Sequence, residues 1–191
     1  MNYRRDIRTE EQFQEDILRD TKIEAEIALS LCVYHFQKHH TWPTLVANGT
    51  DATGKYIQND EQITSAPDFL IDGIPTEIMH SKFSCKWFFH IKEHKLRSCI
   101  ENGVQLIMVN SIMSKYAEFC RINQAKGKVL REWSLERYGT ILKHPTASGG
   151  MSVAKPAYQI DNAWVKWYTL PELIDLPDSY KEICQIAYGA P

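Results

Sequence analysis

Apolar side chains recur at helical steps between residues 9 and 40. Phe13, Ile17, Ala28, Leu31 and His35 fall on one stripe, which predicts a single long helix, broken at most once. Thr9 with Gln12 three positions on makes a capping box at its start. Trp42-Pro43 ends it, because the residue before proline avoids helical angles. "TLVANGTDATGK" reads as a short strand and a polar loop. "DFLI" and "TEIMH" then alternate as strands, with "DGIP" as the turn between them. Residues 87 to 101 return to helical spacing: Phe88, Ile91, Lys95 and Cys99 share one row, with Leu96 and Ile100 beside it. Asn102-Gly103 supply the C-cap. "VQLIMV" is a continuous apolar run, as in a strand buried on both faces. "SKYAEFCRINQA" reads as a further helix, "HPTASGGMSVAKP" as a loop, "AYQI" and "AWVKWYTL" as strands, and Pro171 to Tyr188 as a closing helix. This order predicts an α/β fold, a mixed central sheet flanked by helices. With no repeat and no long linker, residues 1–191 are expected to form one domain.

The length of 191 residues suits one full hydrophobic core. Apolar content of 43% and charged content of 24% place the chain among ordinary globular proteins. The start, "MNYRRDIRTEEQFQED", lacks the apolar stretch of a signal peptide. No apolar run is long enough to predict a membrane span. Cys32, Cys85, Cys99, Cys120 and Cys184 are odd in number and show no CxxC pair, which argues against a zinc knuckle or disulfide framework. Reduced thiols and a cytoplasmic location are the expectation. A net charge of -2 argues against a protein that coats nucleic acid non-specifically. One segment departs from that balance. "KFSCKWFFHIKEHKLR" holds Lys82, Lys86, Lys92, Lys95 and Arg97 against the single acid Glu93, a stripe suited to a phosphate backbone.

Three carboxylates stand where solvent-facing charges are not expected. Asp68 opens one strand of the hairpin and Glu77 falls early in the next, so both can reach one edge of the sheet. Two such groups repel unless a cation lies between them. Glu24 falls on the apolar stripe of the first helix, between Ile17 and Ala28, where a carboxylate needs a partner. Glu26 lies about 200° around that helix and is expected in solvent. Oxygen donors of this kind suit magnesium or manganese.

Pro67-Asp68, Glu77 and the preceding helical Glu24 together resemble the PD-(D/E)XK nuclease superfamily. The order of elements is similar too: a helix, a three-strand meander, a helix, then a strand. The resemblance covers roughly residues 15 to 125 and leaves 126–191 as a C-terminal elaboration, a candidate for substrate recognition. It implies a restriction-endonuclease-like core and a metal-dependent endonuclease that hydrolyses DNA phosphodiester bonds. Glu24, Asp68 and Glu77 would then hold magnesium, with manganese able to substitute. The resemblance also implies a 5'-phosphate and a 3'-hydroxyl as products, and a homodimer is a common assembly among its small members. One departure matters. The family's lysine would lie two residues after the second acid, where this chain has Met79. Lys82 and Lys92 are the candidates to replace it as catalytic groups, with Lys95 a third that can reach over from the following helix. Strand alternation sets Lys82 and His80 on the face opposite Glu77 unless a bulge intervenes. Lys86, Lys95 and Arg97 are candidates for contact with nucleic acid.

Other readings compete. Met79 supports a catalytically impaired nucleic-acid-binding module of the same fold, and RNA is the alternative substrate. An unrelated α/β protein with a chance "PDF…E" is the plain alternative. His90 and His94, four apart with Cys85 nearby, have a spacing that binds zinc on a helix, but Phe88 and Ile91 claim the buried face. His35 on the apolar stripe reads as a satisfied core histidine before a ligand. His39-His40 read as partners for the helix's last carbonyls. Trp133, Trp164, Trp167 and Tyr168 could stack on bases or fill a core.

Overall fold

A computed structural model describes residues 9–48, 66–81, 88–110, 118–122, 157–161 and 168–189. Helix α1 (Glu10–His39) has 30 residues, a length of about 45 Å at the α-helical rise. Both halves of the expected capping box form. The Thr9 hydroxyl accepts from the Gln12 amide at 3.2 Å, and the Gln12 side chain accepts from the Thr9 amide at 3.0 Å. The helix ends at His39, three residues before Trp42, and the capping His40 turns left-handed (φ 59°) and donates its N–H to the Phe36 carbonyl at 2.8 Å.

Strands β1 (Leu45–Ala47), β2 (Phe69–Ile71) and β3 (Ile74–Ser81) form an antiparallel meander. The β2–β3 turn closes at Asp72-Gly73, with φ of 51° and 72°. Two left-handed residues in succession match the right-handed strand twist, and Asp-Gly is a favoured pair for them. Asp72 also ties this turn to β1: its carboxylate accepts from the Thr44 amide at 2.8 Å and its own N–H donates to the Thr44 carbonyl at 2.9 Å.

Strand β4 (Phe88–Lys92) leads into α2 (Glu93–Glu101), and β5 (Gln105–Asn110) then runs parallel to β3. The helix expected over 87–101 is therefore a strand followed by a shorter helix. β4 pairs antiparallel with β7 (Ala157–Asp161) in a separate two-stranded sheet. A second correction falls in the stretch read as a helix around 114–125: residues Glu118–Ile122 form β6, antiparallel to β5. With β8 (Tyr168–Thr169), the larger sheet has the order β1-β2-β3-β5-β6-β8. The closing helix is shorter than expected as well. Residues 171–177 are not helical; a 3-10 turn (Asp178–Tyr180) precedes α3 (Lys181–Tyr188).

The molecule is thus mixed α/β. Ala25, Ala28, Leu29 and Cys32 of α1 pack with Phe69, Ile78, Ile107 and Val109 on one face of the sheet. Tyr180, Ile183 and Ala187 join the same cluster, so the C-terminal segment completes the core around α1. Register and alternation put Glu77, Met79, Leu106 and Met108 on the opposite face, where Leu96 and Cys99 of α2 are buried. Among the described residues, no helix is long and apolar enough to cross a membrane.

Candidate metal centre

The site begins where β2 begins. Asn48 clamps the backbone just ahead of the strand: its N–H donates to the Asp68 carbonyl and its side-chain amide to the Pro67 carbonyl, both at 2.8 Å. This directs Asp68 toward β3. The last β2–β3 pair is Phe69 with Thr76. Beyond it the Asp68 carboxylate reaches across and accepts from the Ile78 amide at 2.6 Å. Glu77 sits in the middle of β3, paired with Leu106 of β5 in the parallel ladder. Asp68 is 8% exposed and Glu77 9%. Two carboxylates held this deep on rigid backbone need compensating positive charge.

Lys95 of α2 supplies part of it, in an ion pair with Glu77. Burial pulls the Lys95 ammonium down, but Glu77 above all, then Asp68 and Glu24, outweigh that and hold its pKa above the ordinary value. Glu24, from the middle of α1, completes the cluster. Its carboxyl is pushed up to about 9, by burial first, then by the charge of Asp68, with Lys95 opposing and Glu77 and Asp20 adding to the rise. The thiol of Cys99, one turn beyond Lys95, is pushed up to about 12 by burial and by Glu77, so it is a neutral neighbour.

Glu24, Asp68 and Glu77, from α1, the residue ahead of β2, and β3, thus lie within electrostatic reach of one another and of Lys95, with the Lys95–Glu77 ion pair as the direct contact. The lysine beside Glu77 is Lys95, expected from the sequence as a contact to nucleic acid and as a third candidate to reach over the acids. Lys92 ends β4 and is not on the helix that was to carry it over the site. Lys82 and Lys86 lie outside the described residues, as do Cys85, Trp133, Trp164 and Trp167. Arg97 is exposed on α2, and Glu26 is exposed on α1, as its phase predicts. One signal for Lys95 was present in the sequence: it shares an apolar row with Ile91 and Cys99, as Glu24 shares one with Ile17 and Ala28.

With Glu24 held as the neutral acid near neutral pH, Asp68 and Glu77 against one ammonium still leave the cluster short of positive charge, and all-oxygen donors suit a hard dication. The donor chemistry fits magnesium or manganese. As the side chains stand, no three His, Cys, Asp or Glu among the described residues are grouped as a metal shell.

The histidine readings resolve differently. His90 lies in β4 and His94 in α2, so the two do not share a helix face. The His35 ring contacts the Thr41 carbonyl through Nδ1 at 3.1 Å, lies 3.9 Å from the Asp72 carboxylate through Nε2, and packs against His39 with centroids 4.6 Å apart. It lines a cleft of about 180 Å³ between α1 and the β2–β3 hairpin, floored by Leu31, Ile71 and Ile107.

Compared with known proteins, the chain matches no family model, no curated protein and no solved structure.

Proposed function

We propose that this protein is a metal-dependent endonuclease of the PD-(D/E)XK type that hydrolyses DNA phosphodiester bonds. The observation that carries this reading is the ion pair of Lys95 with the buried Glu77, within electrostatic reach of Asp68 and Glu24 from two other elements. The element order supports it: a helix, an antiparallel meander, then a helix leading to a strand parallel to the third. The intervening β4, paired with β7 outside the main sheet, is an addition to that order.

In this reading Glu24, Asp68 and Glu77 would hold magnesium, which supplies polarisation of the scissile phosphate and a more acidic water when bound. The chain's own groups do the rest. Rigid β2 and β3 fix the two buried carboxylates, so no reorganisation is needed at the moment of reaction. The Lys95 ammonium donates hydrogen bonds toward the charge that grows on the phosphoryl oxygens as water adds to phosphorus and the 3'-oxygen departs. The products carry a 5'-phosphate and a 3'-hydroxyl. Lys95 thereby takes the role for which Met79 lacks the chemistry. Arg97, exposed on the same helix, is suited to the flanking backbone.

A cleavage assay on plasmid, single-stranded and branched DNA and on RNA tests this, run with magnesium, manganese or EDTA. Asp68→Asn is the better probe than Asp68→Ala, since asparagine keeps an acceptor for the Ile78 amide. Metal-dependent cleavage of DNA, lost in Asp68→Asn and Glu77→Gln with the fold intact, is the expected result. Cleavage that survives both variants would sink the proposed centre. Retained DNA binding without cleavage under any metal would favour the binding-module reading that Met79 motivates, and preference for RNA would change the substrate only.

A further inference from the structure

Lys95 occupies a position that the cation itself would contest. Its ammonium is ion-paired with Glu77, whose strand is hydrogen-bonded to β5 and whose side chain is 11% exposed. Glu77 therefore has little freedom to serve a second charge from another direction. Lys95 differs in this respect. It projects from α2 on a flexible four-carbon stem, and its side chain is 35% exposed, so it can leave the carboxylate while its backbone stays in place. The other titratable groups facing the ammonium are Asp68 and Glu24, and the neighbouring Cys99 thiol brings no charge.

Building on the nuclease reading above, we infer that Lys95 is the resident counter-ion of the metal-free centre, displaced from Glu77 when a divalent cation binds. The lysine then has two stations. In the metal-free protein it offsets the buried carboxylates. In the loaded protein it is released toward the phosphate side, where the proposed reaction uses it. A displaced counter-ion acts oppositely to a ligand or a merely structural residue. Removing the ammonium removes a competitor, because a single and a double positive charge a few ångströms apart repel strongly even at an effective dielectric constant of about 20. Metal affinity should rise when Lys95 is neutralised, although turnover falls.

The test is direct Mn²⁺ binding without nucleic acid, by titration calorimetry and by loss of the free-ion paramagnetic resonance signal. Wild type, Lys95→Met, Lys95→Gln, Lys95→Arg and Glu77→Gln are compared at one pH and ionic strength. Lys95→Met and Lys95→Gln should bind Mn²⁺ at least tenfold more tightly than wild type, and Lys95→Arg about as wild type does. Glu77→Gln should bind more weakly. Thermal melts give a second readout: Lys95→Gln should melt lower than wild type without metal, yet gain more on adding Mn²⁺. Wild-type binding through Glu77 with equal or weaker binding in both neutral variants would overturn the counter-ion role and leave the nuclease reading standing. Absence of Mn²⁺ binding in wild type and in every variant would overturn both.

Discussion

At Glu24, burial and the charges of Asp68 and Glu77 favour the neutral acid, with a folded-state pKa of about 9. In the unfolded chain the same group titrates near its ordinary value of 4.5. The folded state thus holds the proton more tightly. Below about pH 4.5 both states are protonated and the group contributes no difference. As pH rises from 4.5 toward 9 the unfolded chain alone ionises, so metal-free stability falls across that window. Glu24→Gln removes this penalty. The variant should melt above wild type at pH 8 in EDTA, and the two should converge near pH 4. Each kcal/mol corresponds to about 2–4 °C for a domain of this size. Parallel melting curves for the two proteins at every pH would mean that Glu24 is solvated, and would remove it from the centre. The same residue shows how much of the site was legible. A carboxylate on an apolar stripe is visible in the sequence because its periodicity is local. Lys95 sits in an apolar row in the same manner. Its long side chain also suited a surface role, and only the fold places Glu77 opposite it.

Among the elements, the β2–β3 hairpin sets the relation of Asp68 to Glu77, and its turn depends on left-handed backbone at Asp72 and Gly73. Space around Gly73 is open: an added Cβ would meet nothing within 4 Å. Any penalty for a side chain there is therefore conformational. Gly73→Val should destabilise the protein by about 1–2 kcal/mol, the usual cost of left-handed backbone for an L-residue, while Gly73→Asn should be nearly silent. Chemical denaturation of both variants checks this, and equal stability of the two would mean that the turn relaxes without strain. The hairpin was legible because Asp-Gly between alternating strands is a short-range signal. Strands β4 and β6 were not. Phe88 and Ile91 happen to continue the helical row of Lys95 and Cys99, and β4 finds its partner only at Ala157–Asp161, far along the chain. The segment Glu118–Ile122 is likewise held as a strand by pairing on both sides, to β5 and to β8. Pairing between distant segments outweighed local spacing in both cases.

For the whole molecule, the open question in the sequence was whether the C-terminal third recognises substrate or completes the core. From Leu170 onward its described residues join the main cluster, whereas β7 pairs with β4 in the separate sheet. The Tyr180 hydroxyl donates to the Pro43 carbonyl, its ring meets Trp42 edge-on with centroids 5.8 Å apart, and Trp42 stacks on Phe36 of α1 at 4.3 Å. Ile183 is 2% exposed within the same cluster. These contacts hold the C-terminal segment against α1, and α1 carries Glu24. A recognition module and a core element respond differently to a cavity. Ile183→Ala should cost about 2–5 kcal/mol, as large-to-small changes in a packed interior do. It should leave the affinity for DNA unchanged at temperatures where the variant is folded. Urea denaturation followed by tryptophan fluorescence gives the first quantity, and a DNA-binding isotherm well below the melting temperature gives the second. Lost DNA affinity with wild-type stability would assign the segment to recognition instead. Lost stability with intact affinity would mean that α3 acts on the centre only by holding α1, and with it Glu24, against the sheet.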